Sequence, residues 1–165
     1  MISAALQALY AGDRERGEEL LAPGQESVFE AAAFGRVARL VREGEDVTIV
    51  AYGAMVPVAE VAADALDASV EVLDVRTLKP LDEESLLASA AKTGRVVIVQ
   101  EAPRTCGYAA ELAAVLAEKA ILDLRGPVVR VTGYDVPYPY WQLEEYYVPS
   151  VARVVDAARR LLAEF

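Results

Sequence analysis

The stretch QEAPRTCGYAAEL (100–112) gathers the residue types most able to do chemistry: Glu101 and Arg104 at a predicted strand end, then Thr105, Cys106 and Gly107 at a predicted helix start. Free backbone N–H groups at a helix start can hold an anion, so one reading is a phosphate or carboxylate site built on Glu101, Arg104 and Thr105. The other has Thr105 capping the helix and Glu101 paired with Arg104. It is preferred, because no full glycine-rich cradle is present. Cys106 could act as a nucleophile, but the chain has no histidine to serve as its base, so a plain thiol is the preferred reading. DVRTLKPLDEESL (74–86) brings Asp74, Arg76, Lys79 and Asp82 to one turn, a mixture expected to form a hydrogen-bonded turn rather than a site. The acidic pairs Glu118/Asp123 and Glu144/Glu145 lack anything to desolvate or orient them as an acid–base dyad. YAGDRERGEELL reads as a solvated helix face. No set of nucleophile, base and oxyanion donors emerges, and no catalytic, cofactor-binding or metal-ligating residue is assigned.

These segments must be carried by a scaffold, and its periodicity is legible from residue 47 onward. VTIVAYG (47–53), VEVLDV (70–75), RVVIVQE (95–101) and VVRVTG (128–133) are short runs rich in β-branched residues, apolar enough for strands covered on both faces. Between them PVAEVAADALDA (57–68), LDEESLLASAAKTG (81–94) and CGYAAELAAVLAEKAILD (106–123) repeat Ala, Leu and Val at helical steps. The second is expected to open with Asp82 and Glu83 in its first turn and to stop at Lys92-Thr93-Gly94. A last helix, PSVARVVDAARRLLAEF (149–165), has Ser150 as N-cap and an apolar stripe through Val151, Val154, Val155, Ala158, Leu161 and Leu162. The alternation predicts an α/β fold: a three-layer, open, mainly parallel sheet flanked by helices. Ligands of such sheets meet the carboxyl ends of the strands, where AYGAMVP, DVRTLKP, QEAPRTCG and TGYDVPYPY would gather.

Residues 1–41 read as an N-terminal helical extension, a candidate fused segment, and 42–165 as the α/β domain. AALQALYAGDRERGEELL (4–21) and ESVFEAAAFGRVARLVRE (26–43) are helical in period and share Ala8, Gly12, Arg16 against Ala31, Gly35, Arg39. The pattern is similar to the helix pairs of ankyrin-type repeats, though shorter. Two ordinary amphipathic helices covering one side of the sheet are the preferred alternative.

Composition narrows the function classes. A formal charge of −10 with scattered Lys and Arg argues against a nucleic-acid partner. One cysteine excludes an internal disulfide framework and points to a reducing cytoplasm. No apolar run approaches the ~20 residues of a membrane span, and no membrane or targeting role is expected.

The ordered set REGEDVTIVAYGAMV (42–56), VEVLDVRTLKPLD (70–82), KTGRVVIVQEAPRTCGYAAELAA (92–114) and VVRVTGYDVPYPY (128–140) resembles a known family. It is similar to the transketolase-like C-terminal domain of the beta subunit of thiamine-diphosphate-dependent 2-oxoacid dehydrogenases, which act on pyruvate or branched-chain oxoacids. The resemblance spans about residues 38–165. It implies that thiamine diphosphate and magnesium are bound by domains absent here, leaving no cofactor on this chain. It implies as partners a second beta subunit in a homodimer, an alpha subunit, and the lipoyl-bearing acyltransferase. Phe165 ends the chain as relatives' terminal residues do, so its carboxylate is carried over as a docking contact. The acidic position before VRVTG aligns with Arg125, with Asp123 two places earlier, a departure from the family pattern. Where many relatives read EAPRTGGFGAEIA, this chain reads EAPRTCGYAAELA, so Cys106 and Ala109 stand for glycines.

Within that resemblance TGYDVPYPY is expected to be an interface loop. Pro137 and Pro139 stiffen it, and Tyr138 and Tyr140 with Trp141 offer rigid apolar area to a partner. The resulting expectation is an assembly and subunit-contact domain, inactive by itself. A stand-alone or engineered fusion acting as an interaction module is the alternative. A small-molecule binder at the strand-end loops is a third.

Overall fold

The structure, a computed structural model, describes residues 38–165. The chain divides into two compact units, Met1–Val37 and Ala38–Phe165, and the fold below is that of the second. The helix pair and the ankyrin-like pattern expected in residues 1–41 lie outside the described residues as far as residue 37.

Five strands form one sheet: β1 (Arg39–Arg42), β2 (Val47–Ala51), β3 (Val70–Asp74), β4 (Val96–Pro103) and β5 (Val129–Gly133). Their spatial order is β1-β3-β2-β4-β5. All neighbours are parallel except the edge strand β1, which runs antiparallel to β3 with Arg39 opposite Asp74. The helices are α1 (Met55–Asp64), α2 (Glu83–Thr93), α3 (Ala109–Lys119), a short α4 (Glu144–Tyr147) and α5 (Val151–Glu164). The expected three-layer, mainly parallel α/β architecture is what the described residues adopt.

Strand β1 corrects the sequence reading, which carried a helix through residue 43. The segment RLVR pairs with β3 instead. Chain beyond it must pass close to the start of β3, where a Cβ on Gly44 would lie 2.1 Å from the Val70 carbonyl carbon. Pairing with a sheet edge outweighs local helical period.

Both faces of the central strands are buried, and the period of two along each strand divides the core. Ile49, Val72 and Val97 face α1 and α5, packing with Ala59, Ala63, Val154 and Ala158. Their neighbours Val50, Leu73 and Ile98 face the other way, onto Leu86, Leu112 and Leu116 of α2 and α3. Polar groups on this second face are paired. Thr48 Oγ1 lies 2.9 Å from Thr93 Oγ1, and buried Glu71 accepts from Lys92 Nζ at 2.8 Å. The Glu71 and Glu45 carboxylates hold the Lys92 ammonium above its ordinary pKa, with the Glu71 hydrogen bond the larger cause.

Helix ends follow their residues. Gly94, at φ +69°, closes α2 with its N–H on Ala90 O, and Ser150 Oγ accepts from Arg153 N–H at the start of α5. Asp82 is the N-cap of α2 rather than a first-turn residue. Its carboxylate accepts from Ser85 N–H (3.0 Å), Ser85 Oγ (2.8 Å) and, across the fold, Ala38 N–H (3.1 Å). Asp82 therefore ties α2 to the entry of β1 while it caps. Asp82→Ala removes the acceptor of all three hydrogen bonds from a buried position and is expected to destabilise the domain by about 2 kcal/mol. A urea titration followed by far-ultraviolet circular dichroism checks this through a lowered midpoint.

Candidate functional site

The carboxyl ends of the strands are organised by Gln100, which is fully buried on β4. Its Nε2 donates to Ala102 O (3.2 Å) and Pro103 O (2.8 Å), turning the strand end back on itself. Its Oε1 accepts from Ala109 N–H (2.6 Å), the first residue of α3, and from Tyr52 OH (3.0 Å), just past β2. A Cβ on Gly107 would lie 2.0 Å from Nε2 and 2.4 Å from Pro103 O, so only glycine fits beneath the amide. Tyr108 packs edge-to-face on Tyr52 at 6.3 Å and donates its hydroxyl to Leu78 O, drawing in the loop after β3. Burial, first, and nearby negative charge raise both phenols above their ordinary value.

The residues read as an anion site are occupied from within. Thr105 donates its backbone N–H and its hydroxyl, each at 2.8 Å, to the two carboxylate oxygens of Asp135. Neither original reading describes this: Thr105 caps no helix, since α3 begins after Tyr108 without a side-chain cap. Arg104 reaches Arg130 O (3.3 Å), and Arg130 returns a bond to Arg104 O (3.2 Å). Glu101 makes no ion pair with Arg104 among the described residues. Cys106 is exposed and sits at φ +59°, the backbone conformation that the glycine of the family motif would adopt without strain. The Cys106 thiol borders an open cleft of about 460 Å³ with Leu78, Lys79, Leu81, Glu83 and Tyr108. A small-molecule reading would rest on this feature, but no converging set of donors lines it.

Beyond β5 the chain emerges as an aromatic ledge. A Cβ on Gly133 would meet Glu101 O at 2.4 Å and the Tyr147 ring at 2.6 Å, so β5 ends in a close three-way approach. Arg153 donates to Thr132 O (2.6 Å) and places its guanidinium 4.6 Å from the centre of the Tyr134 ring. Tyr138 packs edge-on against Tyr147 at 4.9 Å and donates its hydroxyl to Glu144. That bond, ahead of all other causes, pushes the Tyr138 phenol up to about 12. Trp141 opens a 3-10 turn, Trp141–Leu143. The outer surface carries Tyr134, Val136, Tyr138, Tyr140, Leu143 and Tyr146; Tyr140 is 90% and Tyr146 77% exposed.

Two other expected contacts lie elsewhere. Asp123 follows α3 in a turn whose next residues return to Gly94, just before β4, through Arg125 N–H to Gly94 O. Phe165 has its main-chain oxygen held by Arg95 at 2.7 Å, and its ring covers Gly126. Both are at the amino ends of the strands, roughly 15 Å of β5 away from the aromatic ledge. The five partner-contact candidates therefore fall into two groups. Gln100, Asp135, Tyr52 and Arg153 were not singled out in sequence. The only signal for Asp135 was its place inside TGYDVPYPY, and Gln100 carried none.

Residues 36–154 match the family described as Transketolase, C-terminal domain. The chain belongs to that family. Within it, the chain is 44% identical over 128 residues to the pyruvate dehydrogenase E1 component subunit beta of Staphylococcus epidermidis, covering 76% of this chain and 39% of that protein. It is 47% identical over 125 residues to the 2-oxoisovalerate dehydrogenase subunit beta of Pseudomonas aeruginosa, covering 76% and 35%. Among solved structures it is similar to a split-gene transketolase described as an inactive beta4 tetramer, with TM-score 0.68 and 37% identity over 78% of this chain and 42% of that one. The family resemblance read in the motifs is borne out. The chain spans well under half the length of these relatives.

Replacing Gln100 by Ala leaves the buried Ala109 N–H and two half-buried carbonyls without their side-chain partner, and about 3 kcal/mol of stability is expected to be lost. Calorimetry measures the loss. Gln100→Glu, which keeps the acceptor but loses the Nε2 donor, is expected to be destabilised as well.

Proposed function

We propose that this chain is the assembly domain of a 2-oxoacid dehydrogenase decarboxylating component of the beta-subunit type, joining copies of itself and having no catalytic activity alone. The carrying observation is the aromatic ledge of residues 134–146, exposed yet stiffly anchored, at the carboxyl ends of the strands in a domain of this family. A partner meeting it would bury tyrosines, side chains well suited to interface cores, of which Tyr134 is already held by Arg153 and Tyr138 by Tyr147 and Glu144. A second copy is the occupant best supported, because the 37%-identical split-gene relative is described as a beta4 tetramer.

The described residues do not fit thiamine diphosphate with its magnesium. The Thr105 donors by the start of α3 are taken by Asp135, and no group of three metal-ligating side chains occurs among the described residues. No reaction step is therefore assigned to this chain. In a full complex the proposed partners are an alpha subunit and the lipoyl acyltransferase, with Asp123 and the Phe165 end, at the amino ends of the strands, as a separate contact. A cytoplasmic location is proposed on the exposed, unpaired Cys106. No helix among the described residues is long and apolar enough to cross a membrane.

A second reading, an interaction module joined to an added segment, is favoured by the division of the chain at Val37 and Ala38. Mixing the chain with an alpha subunit, thiamine diphosphate and a 2-oxoacid tests the inactivity that both readings share. Decarboxylation on adding this chain would contradict an inactive domain.

Tyr138→Ser with Tyr140→Ser is expected to weaken self-association at least about tenfold, as loss of interface-core aromatics does, with the fold retained. Sedimentation equilibrium of the double variant checks this; an unchanged association constant would remove the ledge from the interface.

A further inference from the structure

We propose that Asp135 is the positioning residue of the aromatic ledge: its carboxylate, gripped by Thr105, fixes the direction in which residues 134–140 leave the sheet and so presents Tyr140, Leu143 and Tyr146 to a partner. The inference rests on the assembly reading above and names the contact that controls it.

The ledge needs such a contact. Pro137 and Pro139 fix their own φ but say nothing of the three residues before them, where the chain leaves β5. At that point Val136 N–H turns back to Tyr134 O at 2.9 Å, a tight turn centred on Asp135. The Asp135 side chain crosses to the 103–106 loop, where each carboxylate oxygen takes its own donor from Thr105 at 2.8 Å. Two parallel bonds fix orientation as well as distance, and an ionised acceptor makes them stronger than neutral ones. The Thr105 N–H and then its hydroxyl hold Asp135 below its ordinary pKa, with Arg104 adding to the effect, so the clasp is made by the ionised form.

The receiving loop is itself hydrogen-bonded on both sides. Gln100 anchors its start through Pro103 O, and the reciprocal Arg104 and Arg130 bonds tie it to β5. An exposed carboxylate that merely decorated a turn would not be matched to a loop held on both sides. Opening the clasp removes no apolar area from the ledge. It restores freedom to residues 134–136, and that freedom must be lost again when a partner binds.

Asp135→Ala in the full chain is therefore expected to weaken self-association about tenfold, with faster amide exchange at 134–136 and circular dichroism unchanged. Thr105→Val, which removes the hydroxyl and keeps the N–H, is expected to produce a smaller change in the same direction. Thr105→Ser, which keeps both arms, restores the parent constant. The two variants combined are expected to be no weaker than Asp135→Ala alone, since both act on one contact. Unchanged association in Asp135→Ala, while the Tyr138 and Tyr140 double variant is weakened, overturns the clasp and leaves the assembly reading standing. Unchanged association in all of these variants overturns both.

Discussion

The rest of the described structure depends on one buried amide. Gln100 has two N–H donors and an oxygen able to accept twice, and all four capacities are met at a fully buried position: two carbonyls of its own strand end, the first amide of α3 and the hydroxyl of Tyr52. A buried polar side chain satisfied to this extent is directional in a way that apolar packing is not. It sets how far β4 runs before turning, where α3 begins, and where the end of β2 lies relative to both. Gly107 follows from it, because the chain passes so close beneath the amide that no side chain could be accommodated.

From this point rigidity spreads outward through contacts that each join two loops. Tyr108 reaches Leu78, Arg104 and Arg130 exchange bonds, and Thr105 holds Asp135. The two ends of the sheet consequently have different characters. The amino ends are closed by Gly94, Arg95 and the Phe165 residue packed over Gly126. The carboxyl ends are firmly braced but left uncovered, with tyrosines facing outward. A surface that is both apolar and ordered loses little entropy on association, and that combination is the physical basis of the proposed assembly role.

Much of the scaffold was legible in the sequence. The four parallel strands are legible because their runs are almost wholly apolar, with both faces of β2, β3 and β4 buried, and the ends of α2 and the start of α5 because Gly94, Asp82 and Ser150 act locally. Strand β1 was not, because RLVR has no pattern of its own strong enough to outweigh the helical run before it; its partner β3 lies some thirty residues onward. Gln100 was hidden for a similar reason. Its decisive partner Tyr52 is 48 positions away in sequence, and nothing in a lone glutamine announces four partners. Glu101, Arg104 and Thr105 carry the types of an anion site, and the anion that Thr105 holds is Asp135, 30 positions on. Asp123 and Phe165, expected as docking contacts, and the tyrosines, expected as an interface loop, lie at opposite ends of the strands because of the paths of α3 and β5.

The central claim, that the carboxyl-end ledge is where copies of this chain meet, is tested most directly by amide exchange of the unmodified protein across a concentration series that spans its association. The account predicts added protection at residues 134–146 in the associated form, with the Asp123 turn and the end of α5 unchanged. A chain that stays monomeric at high concentration, or protection that appears only around Asp123 and Phe165, would contradict it.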